Sequence, residues 1–342
     1  MKKIDIKNLS SEELQEFLLS NGLPKFRAEQ IRTWIFQKAE LNLDKMVNLP
    51  LPLRKLLDQH FIFWSLKLCS TKISKDKTIK NLFELSDGEL IETVLIPADG
   101  RNTVCVSTQA GCKFGCKFCA SGLKGWKRNL TAGEICEQIL LIQKEAGVRV
   151  THVVFMGVGE PFDNYENVIK AVRAINAKDG MGIAARRITI STCGVVPGIE
   201  RFAGEGLQVE LAISLHASND KLRDEFMPIN KKYPLKELIK CCGQYVKKTD
   251  RQITFEYILI KDITCTENAA RELGVLLRGL LCKLNLIVYN PVQEFAFKSV
   301  GKSDITQFQK WLKAEGLHST VRASRGTDVS AACGQLRTTF LS

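Results

Sequence analysis

Three cysteines pose the first chemical question. They lie in Gly111-Cys112-Lys113-Phe114-Gly115-Cys116-Lys117-Phe118-Cys119, spaced C-x3-C-x2-C. Thiolates are the protein ligands of iron–sulfur clusters, and three this close in sequence can hold three corners of one cube. The fourth iron then lacks a protein ligand and is open to a small molecule. Gly111 and Gly115 let the backbone wrap closely, and Phe114, Phe118 and Trp126 are candidates to shield the group from water. The rival is zinc. Structural zinc takes four ligands, commonly as C-x2-C pairs or with histidines at matched spacing. No fourth ligand is evident here: the chain has 4 histidines, and His152 lies well downstream. Three packing cysteines suit a loop rich in glycine and lysine poorly. The expectation is a cluster with one open corner.

A second set of residues follows apolar segments. Gly157-Val158-Gly159-Glu160-Pro161, Ser191-Thr192-Cys193-Gly194, Ser214-Leu215-His216-Ala217 and Asn290-Pro291 each come directly after such a run. Singly they are weak signals, since a lone serine is commonly a cap and Gly-x-Gly a turn. Together they offer small, polar and acidic groups. A carboxylate such as Glu160 suits an ammonium, and hydroxyls with Asn290 suit a carboxylate or ribose. That combination fits a zwitterionic nucleoside, which S-adenosylmethionine (SAM) is.

These residues must be positioned by a scaffold. Strands fit at 103–108, 151–156, 187–192, 209–215, 253–260 and 283–289, with helical pattern between them. Six strands each followed by helix argue for parallel βα units. Right-handed crossovers would curl them into a full or partial barrel, whose chemistry gathers at the strand C-termini. Thr131 and Glu134 form a capping box for the helix after the cysteine loop. The fold class is thus α/β, a partial (β/α)6 barrel over 98–342. A β-rich extension precedes it at 65–97, with strands at 67–74, 80–85 and 90–96 and a turn at Ser86-Asp87-Gly88. A small helical domain covers 1–64. It opens with a second capping box, Ser10 with Glu13, continues with a helix over 25–38, and ends with one reaching His60. Its Lys25, Arg27, Arg32 and Lys38 suit either a packing appendage or a nucleic-acid contact.

Composition narrows the setting. With 342 residues, 45% hydrophobic and 25% charged, the chain has the balance of a soluble globular protein. No apolar run approaches the roughly 20 residues of a membrane span, and the start lacks the apolar core of an export signal. A cytoplasmic location and no membrane partner are expected. Lysine and arginine exceed acids by 49 to 37, net +12, which suits a polyanionic partner or simply a high pI. Twelve cysteines in a chain of this kind point to metal or redox chemistry rather than a disulfide framework. Cys69, Cys136, Cys193, Cys241, Cys242, Cys265 and Cys282 sit in apolar or helical pattern and read as packing residues.

The chain resembles the radical SAM adenosine C2 methyltransferases of the RlmN type, of the RlmN/Cfr family. The resemblance rests on Phe26-Arg27-Ala28-Glu29-Gln30-Ile31, Ile91-Glu92-Thr93-Val94, the cysteine loop, the Gly-Val-Gly-Glu-Pro turn, Arg223 to Lys232, and Ala331-Ala332-Cys333-Gly334-Gln335-Leu336. It spans nearly the whole chain, and the last motif is absent from most radical SAM enzymes. Val158 stands where the family commonly has methionine, an apolar exchange. The resemblance implies that Cys112, Cys116 and Cys119 hold one [4Fe-4S] cluster. It implies that Gly159, Glu160, Ser191, Ser214, Leu215, His216 and Asn290 line the SAM site. It further implies Cys333 as methyl carrier, Cys105 as its resolving partner and Glu92 as general base.

The implied reaction is methylation of C2 of adenosine in 23S ribosomal RNA and transfer RNA, using two SAM per turnover and a flavodoxin-like one-electron donor. C2 lies between two ring nitrogens, is electron-poor and carries no lone pair. Direct transfer of the electrophilic SAM methyl is mismatched there, so a radical route is reasonable. Release by Cys105 attack on the Cys333 sulfur requires the two cysteines to meet in space. Cys105 lies on the first barrel strand, where a returning carboxy-terminal loop could reach it. Alternatives left open are the sister group that methylates C8 of an rRNA adenosine, and a zinc-stabilised RNA-binding protein without catalysis.

Overall fold

A computed structural model of the chain describes residues 3–337. A short strand β1 (Ile4–Asp5) pairs in parallel with β2 (Phe61–Ile62). Between them lie α1 (Ser11–Ser20), α2 (Arg27–Arg32) and α3 (Leu51–His60). The Ser10–Glu13 capping box forms: Glu13 N–H donates to Ser10 Oγ and Ser10 N–H to Glu13 Oε2, satisfying two donors the first helical turn would orphan. The helix expected over 25–38 is divided, because α2 widens into a π turn at Thr33–Gln37. Leu14, Leu18, Ile31 and Leu57 join one continuous core with Ile135 and Ile139 of the following fold.

The chain next forms an antiparallel meander of β3 (Leu66–Ile73), β4 (Ile79–Leu85), β5 (Leu90–Ala98) and β6 (Arg101–Cys105). The hairpin β7 (Gln109–Gly111) and β8 (Trp126–Asn129) brackets the cysteine loop. Thereafter helix and strand alternate: α4 (Ala132–Ala146), β9 (His152–Phe155), α5 (Tyr165–Asn176), β10 (Ile188–Thr192), α6 (Val196–Phe202), β11 (Glu210–Ser214), α7 (Asp220–Phe226), α8 (Leu235–Thr249), β12 (Ile253–Leu259), α9 (Glu267–Leu276), β13 (Cys282–Val288), α10 (Lys302–Ala314) and β14 (Ser319–Arg322).

One ten-stranded sheet runs in the order β14-β13-β12-β11-β10-β9-β6-β5-β4-β3. β6 joins its two halves, antiparallel to β5 and parallel to β9. All neighbours from β6 through β14 are parallel. Thr103, Val154, Thr189, Ala212, Thr254, Asn285 and Arg322, one from each of these seven strands, line a single cavity. The sheet therefore curls around them as a partial barrel, with β14 added to the six strands expected.

Helix α4 shows how the amino-terminal segment is fixed. It is buried from Ala132 to Ile142, including Glu137. Glu137 accepts from Ser65 N–H at 3.0 and 2.9 Å and pairs with Lys7 Nζ at 3.0 Å, while Lys7 also reaches Asp5 at 2.8 Å. A carboxylate at such a position is tolerable only with this full set of partners.

Candidate active site

The cysteine loop is shaped by backbone contacts. Gly111 has φ +79°, and a Cβ there would lie 1.9 Å from Gly125 O. Only glycine permits the hairpin to close at this point. Cys112 N–H donates to Gly125 O at 3.2 Å, Lys117 N–H to Phe226 O at 3.0 Å, and Cys119 N–H to Cys116 O at 3.1 Å. Cys112, Cys116 and Cys119 consequently line one cavity, with Phe114 and Phe118 beside them. Trp126, expected to shield it, does not line it and is 44% exposed.

Burial pushes the Cys112 thiol up to about 12, and raises Cys116 and Cys119, with the neighbouring sulfurs adding to the effect on Cys116. Three buried sulfurs become thiolates together only when positive charge enters among them. Among the described residues no three His, Cys, Asp or Glu side chains converge to hold a single metal ion. Three soft thiol donors lining one cavity fit an iron–sulfur cluster.

The strand ends form the opposite wall. Gly157, Gly159, Glu160, Ser191, Ser214 and His216 line the same cavity. At Gly159, φ is +102° and a Cβ would meet Gln109 N at 2.8 Å, so this turn also depends on glycine. Glu160 is buried. Its Oε1 accepts from Phe162 N–H at 3.0 Å and its Oε2 from Cys193 N–H at 2.8 Å. Burial raises its pKa and these donors oppose the rise. His216 takes a left-handed φ of +57° and packs edge-on to Phe118 at 4.8 Å. Burial lowers its pKa to about 3, with Arg223 adding to the effect, so its ring is neutral. Its buried Nδ1 has no hydrogen-bond partner among the described residues.

Two expected SAM-site residues are placed differently. Leu215 is fully buried in the core, and its carbonyl accepts from Arg223 Nε at 3.1 Å. Asn290 lines the barrel lumen, and its Nδ2 donates to Cys333 O at 3.2 Å.

Arg223 was visible in sequence only within a longer motif, yet it organises this rim. The side chain is fully buried. Besides Leu215 O, its guanidinium donates to Cys193 O at 2.8 Å, Ser214 O at 3.2 Å and Asn230 Oδ1 at 2.9 Å. One planar fork thereby ties together the ends of β10 and β11. A charged residue on a short helix gives no sequence signal of such burial.

The carboxy-terminal segment returns over the barrel. Ala120 N–H donates to Gly334 O at 2.8 Å, Ser121 Oγ to Leu336 O at 3.0 Å, and Gln335 Nε2 to Pro291 O at 2.9 Å. Ala331 and Leu336 pack in one apolar cluster with Cys105. Cys333 is exposed into cavity space, lining both the cysteine cavity and the barrel lumen. Burial pushes the Cys105 thiol up to about 12, with Cys333 adding and Arg322 opposing. The cavity walls likewise raise Cys333, and Arg322 opposes this too. All twelve cysteines are free.

Glu92 is buried on β5. It pairs with Lys80 Nζ at 2.9 Å and accepts from Arg337 N–H at 2.6 Å. Burial raises its pKa against the pull of Lys80. The structure sets Glu92 beneath the carboxy-terminal segment and not among the residues lining the cysteine cavity. Arg322 and Glu256, both shared by the two cavities, were not singled out from the sequence. Glu256 accepts from Asn285 Nδ2 at 3.1 and 2.9 Å.

Comparison with known proteins agrees with this architecture. Residues 106–267 match the Radical SAM superfamily, and residues 4–63 match the family described as Ribosomal RNA large subunit methyltransferase N-terminal domain. The chain is 46% identical over 338 residues to the probable dual-specificity RNA methyltransferase RlmN of Staphylococcus aureus strain JH9, covering 98% of this chain and 93% of that protein. The crystal structure of a radical SAM methyltransferase from Sphaerobacter thermophilus superposes with a TM-score of 0.94 at 46% identity, covering 98% of this chain and 100% of that one. Near-complete coverage at this identity makes the chain a member of the RlmN family of radical SAM methyltransferases.

Proposed function

We propose that the chain methylates C2 of an adenosine in 23S ribosomal RNA and in transfer RNA, carrying the methyl group on Cys333. The observation that carries the reading is the placement of Cys333. It opens both to the cavity lined by Cys112, Cys116 and Cys119 and to the lumen, on a segment packed against Cys105.

Cys112, Cys116 and Cys119 would hold a [4Fe-4S] cluster, and Gly159, Glu160, Ser191, Ser214 and His216 would receive SAM. Bound there, the cluster supplies the single electron for reductive cleavage of SAM. The chain's own residues do the rest. The Cys333 thiolate is the nucleophile that accepts a methyl group from one of the two SAM used per turnover. Asn290 holds its carbonyl, while Ala331, Ala332 and Gly334 keep its surroundings small. Leu215 contributes to the SAM site through its backbone and the Arg223 fork. Once the S-methyl carbon has lost a hydrogen atom to the 5′-deoxyadenosyl radical of the second SAM and bonded to C2, Glu92 receives the C2 proton; its raised pKa favours that role, and taking it requires Arg337 to release the carboxylate as RNA enters. Cys105 then attacks the Cys333 sulfur, freeing the product and leaving a disulfide. A flavodoxin-like protein as one-electron donor completes the reading. The described residues include no helix long and apolar enough to cross a membrane, and the site is expected to work in the cytoplasm.

Nucleoside mass spectrometry of RNA from cells lacking the gene tests this. Loss of 2-methyladenosine from both RNAs, restored by the wild-type gene, is expected. Unchanged 2-methyladenosine, or loss of 8-methyladenosine instead, would overturn the C2 assignment.

A further inference from the structure

The loop that presents the three cysteines inward presents a different set outward. From Gly111 to Asn129 it carries Lys113, Lys117, Lys124, Lys127 and Arg128 and no acidic residue. Leu123 and Trp126 stand among these cations, 43% and 44% exposed. Large apolar side chains held in water beside clustered charge mark an interaction surface.

Trp126 is braced and not loose. It pairs with Gly111 across the β7–β8 hairpin, one residue from Cys112. Its indole Nε1 donates to Asn129 Oδ1 at 3.4 Å. Gln109 Nε2 donates to the same oxygen at 2.8 Å and to Asp163 Oδ2 at 2.8 Å. Lys113 Nζ pairs with Asp163 and stands 5.8 Å from the Phe114 ring and 5.9 Å from the Trp126 ring, within cation–π range. The Asp163 pairing commits Lys113, whereas Lys124 and Lys127 are exposed and make no ion pair among the described residues. A rigid, wet aromatic face costs little entropy to use in binding.

We propose that Trp126 is a stacking platform for an unpaired RNA base beside the target adenosine, with Lys124 and Lys127 contacting the adjoining phosphates. Aromatic stacking within a basic surface is the general means of holding single-stranded nucleic acid. Charge selects the partner: Lys117, Lys124 and Lys127, exposed and without an ion pair among the described residues, favour a polyanion, and the half-exposed Trp126 beside them favours one with planar bases. Trp126 pairs with Gly111, one residue from Cys112, so the platform lies on the outer side of the loop whose inner side lines the cavity, and a base unstacked for reaction leaves neighbours that such a face can hold. The proposal rests on the RNA-methylation reading and assigns part of that site's substrate recognition.

The test measures equilibrium binding of the reconstituted holoenzyme to a 23S rRNA hairpin with the target adenosine unpaired. Matched hairpins carry a single abasic nucleotide at each flanking position. Trp126→Leu should lower affinity by roughly 5- to 150-fold, the cost of one lost stacked base, while Trp126→Tyr keeps a stacking face and stays within about threefold of wild type. One abasic position should weaken wild type as much as Trp126→Leu does and should weaken Trp126→Leu no further. Lys124→Ala with Lys127→Ala should flatten the dependence of log affinity on log salt by roughly 1.4, about 0.7 per phosphate contact. Unchanged affinity for Trp126→Leu, or losses that add at every position, overturns the platform; an unchanged salt slope overturns the lysine assignment. A wild-type enzyme that neither binds nor methylates the hairpin would instead sink the RNA reading itself.

Discussion

Replacing Arg223 with methionine should destabilise the protein through four acceptors at once. The guanidinium serves the carbonyls of Cys193, Ser214 and Leu215 and the side chain of Asn230 from a fully buried position. Each such charged hydrogen bond is nominally worth about 1.5–3 kcal/mol, but burying the charge offsets much of the sum. Methionine fills most of the volume and relieves the desolvation, yet leaves the acceptors dry. Each buried acceptor left unpaired costs about 1–3 kcal/mol, and with the relieved desolvation set against four of them a net loss of about 3–5 kcal/mol is expected. At about 2.1 cal/mol/K per residue, a chain of this length has an unfolding entropy near 0.7 kcal/mol/K, so the midpoint should fall by about 4–7 °C. Differential scanning of wild type and variant measures this. Arg223→Lys should behave nearly as badly, because an ammonium cannot span acceptors on two strand ends. A methionine variant melting within about 1 °C of wild type would refute the view that this fork holds the rim.

Other outcomes follow from single contacts. Asp76 accepts from Gly326 N–H at 3.0 Å and Thr78 N–H at 3.0 Å; burial pushes its carboxyl up, but these and nearby hydroxyls outweigh it and hold it at about 2, below its ordinary 3.8. Its contribution is therefore present above about 3.8 and lost as pH falls through about 2. Asp76→Asn should melt below wild type at pH 6, with the gap closing towards pH 2 in a thermal series. Gly111→Ala places a Cβ 1.9 Å from Gly125 O, so the hairpin should open and iron content measured after reconstitution should fall. Glu160→Ala removes the acceptor for Cys193 N–H, and isothermal titration should show SAM binding weakened at least tenfold, with iron content retained.

Much of the scaffold was legible because its signals are local. The two capping boxes need only a hydroxyl and a carboxylate three residues apart, and both form. The strands of the meander and of the βα units stood out as apolar runs bounded by turns. β14 did not, since Ser-Thr-Val-Arg at the sheet edge is partly exposed throughout and carries no apolar alternation. Nor did the β7–β8 hairpin, whose two strands are short and whose second is basic. In the site, the cysteine spacing and the Gly159–Glu160 turn were readable as motifs. The Arg223 fork, the Glu256–Asn285 pair and the latching of Glu92 by Lys80 and Arg337 were not, because each joins residues far apart in the chain. Leu215 illustrates a related limit: a motif marks the backbone position, while the packing decides where the side chain goes.

In the proposed reaction Cys333 carries the methyl group and Cys105 releases it. Cys105→Ala removes the second thiol and leaves the three cluster cysteines, the strand-end rim and Cys333 in place. This variant, reconstituted and given SAM, reductant and RNA, should stall with RNA joined through a methylene bridge to Cys333. The species should migrate as a protein–RNA adduct on a denaturing gel and, after nuclease digestion, leave a modified adenosine on the Cys333 peptide by mass spectrometry. Adding Cys333→Ala should abolish it. Normal turnover by Cys105→Ala, or no adduct from a variant with full iron content and SAM binding, would rule out the two-cysteine route.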